Sequence, residues 1–457
     1  MGPTSRLARG PLRSSGIFPS YGLRCSRVSS VSTVRFQSSV SKESPSESGG
    51  PLNGLKILDL SRILAFAEKA PYCTQILADY GADVIKVEAV GKGDDTRHWR
   101  MKGEDGSWKS DVGPISNYFS AVNRNKRSIT LDLKSSEGRD IFFELARRCD
   151  VVVENFKPGT MERIGLGYEK LKEMNSQLIY ASLSGYGTTG PYAARGGYDA
   201  IAGAEAGLLH VTGQREGPPV RPGLGIVDMA TGLYLHGAIL SALHARDHLG
   251  EGGQRVDASL FETQISLLIN VGMSWLNMGI EAQRWGCEHP SIVPYDAFQT
   301  KDLYIVGGAA NDAQFIKLSK VLGLEELAAD ERFSDNARRV SHRDELSAVI
   351  KEVFRNKTTA EWIAIFETEG LPFAPINNIE KAFQHPQIRA RDMLRQVSHT
   401  AAQSGRINLI GPSVKFGTTK AYIRREPPLL GQHTEEILEA IGIPRAEAQR
   451  LRQQNVV

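Results

Sequence analysis

From Leu55 onward the chain alternates short apolar runs with stretches whose apolar residues recur every three or four positions. LKILDLS, DVIKVEAV, DVVVENF and LIYASLSGYG have the aliphatic and β-branched density of buried strands. Between them, PYCTQILADYGA, EGRDIFFELARRC and TMERIGLGYEKLKEM carry helical spacing. That alternation predicts a mainly parallel sheet with helices packed on it, an α/β fold with a Rossmann-like layer. No GxGxxG follows the first strand, so dinucleotide binding has little support. After a long apolar helix ending near His248, GEGGQRVDASLFETQ reads as a turn, a strand and a helix. Beyond Gly286 the texture changes to short strands around turns, then to helix from about 312 to 369, then to the Pro-rich LPFAPINN. These shifts divide the chain into a leader (1–50), a large α/β domain begun by 51–260 and completed by 390–457, and a smaller middle domain (285–375). No internal repeat is visible.

Composition changes this picture at one end only. Residues 1–50 hold seven bases, many serines and no acid before Glu43, the composition of a mitochondrial transit peptide, with cleavage expected near Phe36. The leader carries a net charge of +5 against +3 for the 457-residue chain, which leaves the remainder slightly acidic. Nucleic-acid binding therefore has no support in the body of the chain. No apolar run approaches the roughly 20 residues that span a bilayer, and the most lipophilic stretch, SLLINVGMSWLNMGI, is interrupted by Asn and Gly. Cys25, Cys73, Cys149 and Cys287 are scattered without a CxxC, so neither a metal site nor a disulfide framework is expected. Cys149 follows an apolar helical pattern and is expected in the core.

The chemistry concentrates near Asp228. In VRPGLGIVDMATGLYLHGAILSAL this carboxylate follows a Gly-rich turn and opens the long apolar helix, where free N–H groups and the helix dipole favour negative charge. An N-cap is the plain reading of that segment. Around it stand GADVIKVE (81–88), GDDTR (93–97), NRNKRSITLDLK (123–134), DVVVENFKPG (150–159), SGYGTTGP (184–191), GYDA (197–200) and PLLGQHT (428–434). Seven such motifs in this order resemble the family III CoA-transferases from Gly54 to the C-terminus. RWGCEHPSIVPYDAF (284–298) and GPPVRPG look most like the family's mitochondrial succinate–glutarate branch.

The resemblance implies a Rossmann-like large domain built from both chain ends, a small middle domain, and two subunits threaded as interlocked rings. It implies Asp228 as nucleophile, forming aspartyl anhydride and aspartyl-CoA thioester intermediates. The reaction would move coenzyme A from an acyl-CoA such as succinyl-CoA to a dicarboxylic acid such as glutarate in the mitochondrial matrix. CoA thioesters would be substrates, with no permanently bound cofactor and no membrane insertion. Gly223 and Gly225 would let backbone N–H groups approach an oxyanion. Leu64, Ala65, Leu131, Asp132, Leu133, Lys134, Asn155, Phe156, Lys157, Arg163, Tyr198 and Asp199 match positions that contact CoA in the family, with Arg195 beside the last two. Lys126, Arg127, Lys134 and Arg163 would supply charge for phosphates.

Arg221, Arg284 and His289 are candidate partners for a second substrate carboxylate, and His433 reads as structural. Three departures stand out. About four extra residues follow Ala65, within Phe66–Ala70. Ala89 stands where many relatives place an Arg, and Leu303 replaces the Gly of a hairpin turn. Two alternatives remain. The racemase branch of the same superfamily uses a Gly-His-Asp motif, here Gly197-Tyr198-Asp199, and a tyrosine is a poor base at neutral pH. A noncatalytic acyl-CoA-binding homologue, inactivated by the extra residues, is the other.

Overall fold

A computed structural model describes residues 49–62 and 69–457. Residues 1–48 of the leader, Leu64, Ala65 and Phe66–Glu68 of the extra residues lie outside that range.

Six parallel strands form the central sheet: β1 (Lys56–Asp59), β2 (Asp83–Glu88), β3 (Lys126–Thr130), β4 (Val151–Glu154), β5 (Ile179–Ser184) and β6 (Arg255–Ser259). Their order is β3-β2-β1-β4-β5-β6, the doubly wound Rossmann order. Successive side chains of a strand point to opposite faces, and here both faces are dry. Ile57, Val84, Val151, Val153 and Ile179 pack under the Lys69–Asp79 and Ile226–His244 helices. Leu58, Ile85, Val152 and Tyr180 pack under Ser136–Arg147 and the C-terminal helices Thr434–Ala440 and Arg445–Gln453, with Cys149 in the same core. The C-terminal segment thus completes the layer begun at Leu55, and the α/β fold follows the sequence expectation.

β7 (Tyr295–Gln299), β8 (Tyr304–Gly308) and β9 (Phe373–Pro375) make a separate antiparallel sheet. Its core draws only on residues between Val293 and Phe373. The β7–β8 turn closes despite Leu303, because the Leu303 N–H donates to the Thr300 hydroxyl and Asp302 bonds both Thr300 and the Thr359 N–H. A last hairpin pairs β10 (Leu394–Ser398) with β11 (Arg406–Ile410).

Two local expectations are corrected. TMERIGLGYEKLKEM is two helices, Thr160–Arg163 and Tyr168–Met174. Gly165 between them takes φ +79°, outside the helical region. Among the described residues one helical stretch, Ile226–Leu249, is long and apolar enough to cross a membrane, at mean hydropathy 1.4. Half of it is buried against the sheet and neighbouring helices, while Leu233 and Tyr234 on its other side are exposed.

Candidate active site

In this strand order the chain leaves β1 toward one edge and β4 toward the other, which opens a crevice at their C-terminal ends. A cavity of about 580 Å³ lies there, within the usual range of small-molecule sites. Its wall comprises Leu60, Ser61 and Arg62 after β1, the Ala89–Gly91 turn after β2, Leu131–Lys134 after β3, and Phe156 after β4. Four of the sequence-predicted residues, Leu131, Asp132, Leu133 and Lys134, are therefore brought together with a fifth, Phe156. Ala89 leaves its stretch of wall without a cation.

Arg62 and Asn455, which sequence reasoning missed, also line this cavity. Arg62 stacks over the Phe156 ring at 5.1 Å. Asn155 is off the wall and fixes it, since its side-chain amide exchanges two hydrogen bonds with the Arg62 backbone. Arg163 is exposed and donates to Thr160, while Lys157 lines a neighbouring narrow crevice. Lys126 and Arg127 do not face the cavity. Lys126 is fully buried and donates to Asp59, Pro71 and Asn123, and Arg127 pairs with Asp83 and Glu436.

Beneath the cavity, whose lining includes Lys86 and Asp94, runs a buried ionic lattice. Lys86 pairs with Asp94 at 3.0 Å and donates to the Ser61 carbonyl, and Lys126 pairs with Asp59 at 2.9 Å. Burial pushes Lys126 down to about 8, with Asp59 opposing that fall. Burial also opposes the charge on Lys86, yet Asp94, Asp59 and Glu88 hold its pKa above the ordinary lysine value.

Glu154, beside Lys157, is pushed up to about 7 by burial, only partly offset by the Ser182 hydroxyl and the Phe156 N–H, and Glu162 and Arg255 face it with opposing effects. The native state thus keeps a proton that the unfolded chain releases near the ordinary 4.5. Stability should therefore decline as pH rises from about 4.5 to about 7 and level off above. Glu154→Gln retains an acceptor for the Phe156 N–H and should remove that slope. Denaturant titrations at pH 5 and pH 8 should show the variant gaining up to about 3 kcal/mol on the parent at the higher pH.

Asp228 lies on the first turn of the Ile226–His244 helix and is 1% exposed. The helix carries no side-chain cap of its own at Gly225. Asp199 supplies one from elsewhere in the chain. Its Oδ1 accepts the Val227 N–H at 2.9 Å and the Asp228 N–H at 3.3 Å. Asp199 opens its own short helix after Tyr198, and that loop is carried on the end of β5. A Cβ on Gly185 would sit 2.9 Å from Gly197 Cα, so the approach of the two backbones requires glycine. The cavity and the Asp228 turn therefore share the C-terminal edge of one sheet.

The sequence reading placed Asp199 among CoA contacts. Its carboxylate is buried and caps the helix start, and Tyr198 beside it is half exposed. Asp199→Ala should cost about 1–2 kcal/mol, as loss of a helix cap does. It should also slow turnover by loosening the Asp228 turn. Asp199→Asn, which keeps the acceptor, should retain most of the stability. Thermal melts and initial rates on the two variants check this.

The chain matches CoA-transferase family III over residues 52–434. It belongs to that family. An acyl-CoA transferase of Fusarium pseudograminearum is 65% identical to it over 88% of this chain and 87% of that one. Human succinyl-CoA:glutarate CoA-transferase is 44% identical over 86% of each chain. Among solved structures, a CaiB/BaiF family protein from Brucella suis superposes with TM-score 0.76 at 38% identity, covering 86% of this chain and all of that one. The protein is thus a CoA-transferase with the family's α/β fold, and CoA thioesters are the substrates of this enzyme class.

Proposed function

We propose that this enzyme moves coenzyme A from an acyl-CoA, succinyl-CoA first among donors, to a dicarboxylic acid such as glutarate, with Asp228 as the covalent nucleophile. The observation that carries the reading is the buried Asp228 carboxylate on a capped helix start, at the sheet edge that also bears the cavity. An Asp228 oxygen attacks the thioester carbonyl, the C–S bond breaks, and CoA leaves as thiolate. The thiolate then attacks the aspartyl carbonyl of the mixed anhydride and releases the donor acid as its carboxylate. Glutarate repeats both steps in reverse order and regenerates Asp228. Each step exchanges one acyl bond for another, so thioester energy is conserved and no proton is consumed. A racemase needs a base near neutral pH, and Tyr198 stands where that branch has a histidine.

Leu131–Lys134, Phe156 and Arg62 form the CoA cradle in this reading, with Asn155 as its staple. Exposed Ile269, Met273 and Leu276 share one face of the Ile269–Met278 helix, with exposed Trp275 on its flank. Such a face favours burial against a second copy of the chain, as the homodimer in this reading requires. The basic, acid-poor leader favours the mitochondrial matrix as its site.

Mass spectrometry of the protein mixed with succinyl-CoA and glutarate tests the reaction, with glutaryl-CoA and free succinate as the expected products. Measurable CoA binding without exchange to any acid of a panel would favour the noncatalytic alternative.

A further inference from the structure

We infer that Arg221 is the specificity-determining cation that meets the second carboxylate of the acid substrate. The inference rests on the transfer reading above. Arg221 sits on the loop that leads through Gly223 and Gly225 into the Asp228 helix, and its side chain is 55% exposed. Its Nε lies 3.9 Å from Asp199 Oδ2, while the other oxygen of that carboxylate holds the Asp228 N–H. The guanidinium is thus one carboxylate away from the backbone of the nucleophile.

At 3.9 Å the contact with Asp199 is an ion pair without a hydrogen bond. Among the described residues Arg221 has no other partner, so its planar fork of five donors is open to a ligand. The other cations proposed from sequence are differently placed. Arg284 donates to the His210 carbonyl, and the His289 ring nitrogen accepts the Ser291 N–H. Arg195 pairs with Glu205 at 2.7 Å.

Electrostatics favours such a cation. When the acceptor acid arrives, Asp228 is held as its neutral CoA thioester, so Asp199 is the carboxylate at this helix start, where the dipole supplies only about half an elementary charge. A monocarboxylate adds one negative charge as it approaches Asp228, and a dicarboxylate adds two. An exposed guanidinium beside Asp199 favours the dianion and gives its far end a bidentate seat.

The test compares glutarate with glutaramate, which keeps the length and shape but carries a neutral amide at the far end. The parent should prefer glutarate. Arg221→Gln should raise KM for glutarate about 10- to 100-fold, the worth of one charged hydrogen-bonded pair. It should leave kcat nearly unchanged and glutaramate nearly unaffected, so that the preference collapses. Arg221→Lys should recover part of it. An equal loss on both acids would mean that Arg221 only balances Asp199, and an unchanged glutarate KM would remove it from the site. Both of those outcomes overturn the inference while transfer itself stands. A parent inactive with every acid would instead overturn the transfer reading on which it rests.

Discussion

Asp228→Asn is expected to abolish CoA transfer while leaving the fold and CoA binding intact. The amide is isosteric with the carboxylate, so the buried site at the helix start keeps its volume and the Asp199 cap keeps its hydrogen bonds. It cannot attack a thioester at a useful rate. When a covalent route loses its nucleophile, the fall is on the order of 10³-fold or more. Glutaryl-CoA formation should drop below detection, with the melting temperature within a few degrees of the parent. Hydroxylamine added during turnover should leave a hydroxamate on the parent peptide spanning Asp228, and none on the variant. If the hydroxamate appeared on another acid, the nucleophile would be reassigned. If Asp228→Asn still turned over, the covalent mechanism itself would fail.

What could be read from the chain alone divides along physical lines. The sheet was legible where strands are purely aliphatic, as in DVVVENF and LIYASLSG, because burial on both faces leaves a continuous apolar run. β3 was less so, since KRSIT begins with two bases. Both are satisfied by distant acids, Lys126 by Asp59 and Arg127 by Asp83, and no local pattern announces a pairing of that kind.

The candidate site shows the same division. Asp228 and the Leu131–Lys134 wall lie in contiguous motifs that stand out in the sequence. Arg62 and Asn455 were missed because they reach the cavity from opposite ends of the chain, each in an unremarkable sequence. Asp199 has a structural role that its motif does not announce. Its capping bonds to Val227 and Asp228 span 28 and 29 residues, so the acceptor of a cap was visible in sequence but not the helix it serves. The loop at Leu303 closes through Thr300 and Asp302, whose side chains replace the conformational freedom of the missing glycine.

Arg97→Ala is the second large effect expected, and here the loss is of stability. Arg97 and Glu88 are both buried and joined by two hydrogen bonds, Nη2 to Oε1 at 2.6 Å and Nε to Oε2 at 2.7 Å. The remaining donor group of Arg97 reaches the Pro428 carbonyl at 3.1 Å, and its guanidinium stacks 3.6 Å from the Phe119 ring centroid. One side chain therefore joins β2, the Asn117–Ala121 helix and the returning C-terminal segment. Truncating it strands a buried carboxylate that also accepts from the Asp94 N–H and the Ser128 hydroxyl. Removing one partner of such a pair costs about 3–5 kcal/mol, which can consume much of a domain's net stability. Arg97→Lys should recover only part, since an ammonium cannot make the two-pronged contact or stack as well on Phe119. The damage should reach function through geometry. Gly93, on the cavity wall at φ +69°, is packed so closely that a Cβ there would lie 2.9 Å from Arg97 Cδ and 3.0 Å from Glu88 Oε2. Loss of the arginine therefore unlocks the Ala89–Gly93 turn, and CoA affinity should fall along with stability. Urea titrations and CoA-binding calorimetry on the two variants measure both losses. Full stability in Arg97→Ala would show that the Arg97–Glu88 pair does not hold this edge of the sheet.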